Sequence, residues 1–409
     1  MKQLSGYLRT GLYNIRHNTA YAVFCIFGTA LTFVFIIILL QLSYIINNDT
    51  PPLSNSHRII RIGDKFVDRS GQSIDGLMLP GILQMRDLVK DYEVFAITHT
   101  ENGVLQANDR IKPGLVNFIN SNYWQVYNFE FIDGRPFTQE DYAAATPVAV
   151  IKESYARACF GAQTAVGQNV EFQGNTYQIV GVVADCSFFA NDFSSMWVPY
   201  KYNKYVPSGV TSYTVLYLFP EQMLTSVMKQ NVTRALQYYF ELAETNVDPD
   251  SLQIRTLKEE QMVRFGDRAI TYGTGLVILL LLIIPAINIV SLSVANANTQ
   301  ATEIAIRRAL GASQKSIFVQ KISEHFLLVI LGMILGWILV YPTISLFETK
   351  ILSAMSVEGV TLLGSMNYWI ILYEILPLCM LFSLLSGGIP AYKISRQNIA
   401  YTLKGGAKS

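Results

Sequence analysis

The chain of 409 residues is 51% hydrophobic and only 15% charged, with a net charge of +1 and a mean hydropathy of +0.29. That is too apolar for an ordinary soluble protein and too polar for a chain lying wholly in a bilayer, and the neutral balance excludes the broad basic footprint of a nucleic-acid binder. The charge is unevenly spread: residues 47–267 hold 18 Lys and Arg against 25 Asp and Glu, as expected of a membrane protein with one large acidic domain outside.

Residues 1–19 contain Lys2, Arg9 and Arg16 and no acid. Leu4, Leu8, Leu12 and Ile15 share one side of a helix, so the segment reads either as an amphipathic helix on the inner membrane surface or as a frayed basic tail. Residues 20–46 are almost wholly apolar, longer than the roughly 20 residues a span needs. No Ala-x-Ala follows, so the run reads as an anchor rather than a cleaved signal, with its excess length as a stalk.

Residues 47–267 are of mixed polarity. His57–Gly63 and Tyr92–His99 read as strands around a helix at Leu79–Lys90. Ser212–Phe219 and Ser251–Thr256 read as strands around a long helix at Gln222–Glu244. Two β-α-β pieces separated by an insert predict a split, ferredoxin-like layer. The insert, about 112–207, holds short strands at Pro147–Ile151, Asn169–Phe172 and Thr176–Val183, the last two joined by Gln173-Gly174-Asn175, and reads as a mostly β lobe. Four cysteines are too few for a disulfide scaffold. Cys25 and Cys379 fall in apolar runs, where a packed thiol is the default. Cys159 and Cys186 fall outside the membrane, where a bond is permitted but no distance is given.

Three more apolar runs, 268–295, 320–347 and 368–390, are long enough to span. The loop between the first two carries Arg307, Arg308, Lys315 and Lys321 against Glu303, and the tail after Pro390 carries Lys393, Arg396, Lys404 and Lys408 with no acid. The segment 348–367 has Lys350 against Glu348 and Glu358. The positive-inside rule then puts both termini and the 296–319 loop in the cytoplasm, with four spans alternating. Within the spans, Glu324, His325, Asn288 and Glu374 read either as a proton or substrate path or as snorkelling and interhelical hydrogen bonds. Gly332 and Gly336 form a small-xxx-small face suited to a close helix contact. No phosphate loop, His-Glu-x-x-His or nucleophile elbow occurs, and His17, His57, His99 and His325 are scattered, so the chain reads as non-catalytic and without a metal or cofactor of its own.

The segment Thr302–Ser313 is cationic and lies between two apolar runs. Glu303 and Arg307 stand four apart on one helix face, and Gly311 is a natural left-handed stop. Its residues alone allow a solvated loop that merely anchors two spans. The run Glu303-Ile304-Ala305-Ile306-Arg307-Arg308-Ala309-Leu310-Gly311-Ala312-Ser313 nevertheless resembles the cytoplasmic loop of the FtsX/MacB-like ABC transporter permeases. That family often carries Arg just before the Glu, where Gln300 and Thr302 stand here. A second resemblance lies in the insert. Gly134-Arg135-Pro136-Phe137, Pro147-Val148-Ala149-Val150-Ile151, Val166-Gly167-Gln168 and Tyr177-Gln178-Ile179-Val180-Gly181-Val182-Val183 follow in order, as in the periplasmic core domain of MacB-like permeases. The tail from Pro390-Ala391-Tyr392-Lys393 to Leu403-Lys404-Gly405 is similar to the family's end, with Asn398 where a proline is common.

The resemblance implies an α-helical membrane protein with four transmembrane helices and a large α+β extracytoplasmic domain, a split porter layer with a β-rich inserted lobe. It places the chain in a bacterial inner membrane as a multi-pass permease subunit. ATP and Mg would be bound by partner ABC ATPase subunits, and a second, identical or different, permease subunit would complete the unit. Glu303, Ile304, Ile306, Arg307, Arg308, Leu310, Gly311 and Ala312 would contact the ATPase and pass its motion to the periplasmic domain, for efflux. The lipid bilayer and a periplasmic adaptor, lipoprotein or other external partner are the remaining expected contacts. The alternatives are a lipoprotein-releasing or cell-wall-hydrolase-activating permease of the same family, or a membrane-anchored sensor or scaffold. Tyr123, Trp124, Tyr127, Phe129, Phe188, Phe189 and Trp197 could form an apolar contact surface or the core of the external domain.

Overall fold

The computed structural model describes residues 13, 15–63, 65–187, 192, 194–200, 213–245, 247–248, 252, 254–265, 268–295, 304, 306–354 and 367–395. The chain divides into two compact units, one of Ile45–Asp267 with Glu348–Ser365, the other of Met1–Tyr44, Arg268–Phe347 and Met366–Ser409.

Helix α1 spans Thr19–Asn47. The first unit then follows as β1 (Ile59–Ile62), the small hairpin β2 (Lys65–Val67) and β3 (Ser73–Asp75), α2 (Leu79–Leu88), the long hairpin β4 (Val94–Ala107) and β5 (Arg110–Ile119), and α3 (Tyr123–Val126). Next come β6 (Phe131–Gly134), α4 (Gln139–Ala143), β7 (Val148–Lys152), α5 (Glu153–Phe160), β8 (Asn169–Phe172), β9 (Asn175–Val183) and β10 (Met196–Pro199). It closes with β11 (Thr214–Leu218), α6 (Thr225–Leu242) and α7 (Leu257–Phe265).

One sheet runs β1-β11-β4-β5-β10-β7-β9-β6, with β8 paired to β4 and β9. The strands of the predicted β lobe continue this sheet, with β10 paired to β5 and β8 to β4. Strand period two sorts the residues. On one face Ile60, Ile62, Phe95, Ile97, Val215 and Tyr217 pack with Ile82 and Met85 of α2 and with Met228, Val232 and Leu236 of α6. On the other, Ile59, Ala96, Leu216 and Leu218 pack with Tyr123, Val126 and Trp197. A third core, around Phe118, Ile151, Phe172 and Ile179, lies in the far half of the sheet.

The expected strand Ser251–Thr256 is a correction. Ser251 and Gln253 lie outside the described residues, and Thr256 makes only an isolated bridge with Ile60. Thr256 is instead the start of α7. Its Oγ1 accepts from the Glu259 amide at 3.2 Å, and a Glu259 carboxylate oxygen accepts from the Thr256 amide at 3.0 Å. This reciprocal capping box ties the Thr256 amide to the helix that follows.

The glycine motifs of the insert interlock. Gly134 has φ +70°, and a Cβ there would sit 2.2 Å from the Val180 carbonyl oxygen; a Cβ on Gly181 would sit 2.4 Å from the Arg135 carbonyl oxygen. The Arg135 amide donates to that Val180 oxygen at 2.9 Å, and its guanidinium pairs with Asp141 at 2.9 Å.

The second unit holds α1 together with α8 (Arg268–Ala295), α9 (Gln314–Ala354) and α10 (Leu376–Ser395), the last preceded by a π-helical turn at Ile371–Ile375. Among the described residues three helices are long and apolar enough to cross a membrane: Thr19–Asn47, Gln314–Glu348 and Ile371–Gly388. The predicted second span, α8, is a helix of 28 residues, of which Tyr272–Ile287 is apolar among the residues whose side chains are described. Gly332 and Gly336 make the predicted close contact, where a Cβ would meet the Ile26 and Ala30 carbonyl oxygens at 2.9 and 2.7 Å.

Candidate functional site

The segment singled out before the third apolar run ends its helical turn in the manner its glycine predicts. Gly311 has φ +98°; its amide donates to the Arg308 carbonyl at 3.0 Å and that of Ala312 to the Arg307 carbonyl at 3.1 Å. Those two bonds form a Schellman stop and satisfy carbonyls left open at the helix end. Two residues later the Ser313 hydroxyl accepts from the Ser316 amide at 3.2 Å and opens α9. One helix is thus stopped and the next started within Leu310–Gln314.

The same turn sorts its side chains. Ile304 is buried against Ile317, with Ala312 packed on the pair. Arg307 donates through Nη1 to Gln320 Oε1 at 3.0 Å. Gln320 Nε2 donates to Glu324 Oε1 at 2.9 Å, and Lys321 Nζ to Glu324 Oε2 at 2.8 Å. Ile306 and Leu310, four apart, are left 49% and 84% exposed. Arg308 is half-buried. Glu303 lies outside the described residues, so the predicted Glu303–Arg307 pair does too. The structure therefore brings Ile304, Arg307 and Ala312 onto α9 and leaves Ile306 and Leu310 facing outward. Gln320 and Lys321 belong to the arrangement although no motif named them; their spacing of four and three from Glu324 was the available signal.

The other polar residues of the spans separate. The ring of His325 meets the Tyr21 hydroxyl at 3.2 Å. Glu374 is exposed in the π-helical turn, and the side chain of Asn288 lies outside those described.

In the sheet unit the aromatic residues proposed as a contact surface are largely core. Tyr123, Tyr127, Phe129 and Trp197 are buried, with Trp124 packed against them; Phe188 and Phe189 lie outside the described residues. The hub there is Asp192, which the sequence did not mark. Its Oδ2 accepts from the Tyr123 hydroxyl at 2.6 Å, Trp197 Nε1 at 2.6 Å and Asn117 Nδ2 at 3.1 Å, and its Oδ1 from the Ser194 amide at 2.9 Å. Burial, reinforced by the Asp192 charge, pushes the Tyr123 and Tyr127 hydroxyls well above the usual phenol range. Asp192 borders a cleft of about 280 Å³ whose wall also includes Arg61, His99, Thr214 and Arg264. Cys159 and Cys186 are free thiols, both held protonated by burial. Among the described residues no three His, Cys, Asp or Glu side chains group as a metal site.

Comparison with known proteins matches the chain to two family profiles. Residues 22–251 match the MacB-like periplasmic core domain, and residues 275–399 match the FtsX-like permease C-terminal region. The sequence is 25% identical over 224 residues to the uncharacterized ABC transporter permease YknZ of Bacillus subtilis (strain 168), covering 54% of this chain and 55% of that one. It is 22% identical over 284 residues to the macrolide export ATP-binding/permease protein MacB of Aggregatibacter actinomycetemcomitans, covering 68% of this chain and 42% of that one. Among solved structures, the periplasmic region of MacB from Actinobacillus actinomycetemcomitans aligns with a TM-score of 0.40 at 18% identity, over 51% of this chain and 92% of that one. The chain spans about half the length of the curated relatives it matches. With the first profile covering more than half of the chain and the second covering its helical C-terminal part, this protein belongs to the FtsX/MacB-like family of ABC transporter permeases.

Proposed function

We propose that this chain transmits ATP-driven motion from an ABC ATPase, which lies outside these 409 residues, to its extracytoplasmic domain. Four spans carry the motion, α8 among them, in a bacterial inner membrane with both termini cytoplasmic and a second permease subunit alongside. ATP and Mg are bound by the ATPase. The observation that carries the reading is the division of labour in the turn before α9. Ile304 and Arg307 fasten it to the helix, while Ile306 and Leu310 stay exposed at the spacing that lets both enter one groove. Glu303, Arg308, Gly311 and Ala312 complete the docking surface. Export is the favoured output, because relatives such as MacB are named as macrolide exporters. The extracytoplasmic sheet is read as a split ferredoxin-like porter layer. Support comes from the order Thr256 bridge, β1, β11, β4, with α2 following β1 and α6 following β11.

The test is Leu310→Asp in the membrane-inserted protein. A charge in place of the most exposed apolar side chain of the turn should abolish co-purification of an ABC ATPase and the ATP turnover that depends on this chain. Unchanged ATPase association would remove the turn as the power input.

A further inference from the structure

We infer that the helices carry a collar of aromatic residues, Tyr341, Tyr368, Trp369 and Tyr373, that sits in the phospholipid headgroup layer and fixes where the bilayer ends. All four are between 57% and 68% exposed. Trp369 and Tyr373 stack with ring centroids 5.9 Å apart, and Tyr341 neighbours Tyr368. Rings with an apolar body and a polar tip prefer the membrane–water boundary to either side of it.

Contacts among the three helices mark this level and a second one. At the collar, the Asn367 amide donates to the Gln41 side chain at 3.3 Å, which brings α1 to the height of Tyr368. At the other end the Tyr21 hydroxyl meets His325, and Gly387 lies against the same ring, since a Cβ there would come within 2.8 Å of it. From Tyr21 to Gln41 is 20 residues and from Tyr368 to Gly387 is 19. At 1.5 Å per residue the first is about 30 Å, the thickness of the hydrocarbon layer, and the second, which contains the π-helical turn, is somewhat shorter. On α9 the far level falls at His325, 16 residues or about 24 Å before Tyr341, and Lys321, whose charge is paired with Glu324, stands one turn beyond it. Between the levels the outward side chains are apolar, among them Phe24, Phe27, Leu31, Ile338 and Leu381, with the one exposed carboxylate there among the described residues, Glu374, next in sequence to Tyr373 of the collar. The bilayer therefore ends at Tyr341, and the rest of α9, to Ala354, stands outside the hydrocarbon.

The inference rests on membrane embedding and not on the ATPase, so a failure of ATPase coupling leaves it intact. It is tested with the full chain in phosphatidylcholine vesicles that contain lipid spin-labelled either near the headgroup or at the chain end. The fluorescence difference between the wild type and Trp369→Phe isolates Trp369, and shallow label should quench it about twofold more strongly than deep label. Stronger quenching by the deep label, or quenching by neither because protein covers the ring, would overturn the collar. A second measurement avoids reliance on Trp369. In permeabilised vesicles Ser345→Cys should react with a polar maleimide about tenfold faster than Leu339→Cys, whose thiolate is disfavoured in hydrocarbon. Equal rates would overturn the boundary.

Discussion

At Gly134 a backbone in the left-handed region runs directly against the Val180 carbonyl oxygen. A methyl group there meets both a conformational penalty and a contact no rotation can relieve, because the neighbour is main chain. Gly167 has an equally positive φ of +87° but open space around its Cβ position. Gly167→Ala should therefore cost about 1 kcal/mol, the backbone term alone. Gly134→Ala should cost about 4 kcal/mol or more, seen as a much larger fall in the protein's melting temperature; similar falls would contradict this account. Asp192 makes a parallel case with charge. Asp192→Asn would turn an amide donor toward hydroxyl, indole and amide groups that now donate to it, at about 2–3 kcal/mol. A red shift in the emission of the buried Trp197 would report the loosened hub. The glycines could be found in the sequence because their motifs occur in a familiar order, although the reason for them is a main-chain contact between segments far apart. Asp192 could not be found, since its donors come from β5, α3, its own turn and β10, and no periodicity links those.

Helix boundaries in this protein are set by local hydrogen bonds that a sequence displays plainly when they are looked for. Thr256-x-x-Glu259 is a capping box, and its signal should have outweighed the short apolar alternation read as a strand. The stop at Gly311 was legible for the same kind of reason. What could not be read was the fastening of that turn to α9, because Arg307 and Gln320 meet only after the chain has reversed. This fastening gives an element-scale prediction. Glu324 and Lys321 are only 11% and 12% exposed, so Glu324→Gln should weaken the network by about 2 kcal/mol. A double-mutant cycle with Gln320→Ala, read in coupled ATP turnover, should be non-additive. Strict additivity would show that the two side chains act separately. Long apolar helices were equally legible, and α8 is a 28-residue helix over the run read as the second span.

For the whole molecule the proposed arrangement is cytoplasmic termini, a cytoplasmic turn before α9 and the sheet unit outside. Asn128→Cys should then be labelled from outside intact cells, and Gln314→Cys only after the membrane is opened; external labelling at Gln314 would invert the topology. Within that arrangement α9 has a property its composition does not disclose. Gln320, which holds Arg307, and Tyr341, which marks the bilayer edge, lie on one unbroken helix. Each residue advances such a helix by 1.5 Å and turns it by about 100°. Adding or deleting a single residue between them would swing the Arg307 contact a quarter-turn out of phase with the collar, while exchanging one apolar residue for another would leave both in place. The quantity under constraint along this stretch is thus an integer, the number of residues between two fixed azimuths, and drift in sequence is cheap there while drift in length is not.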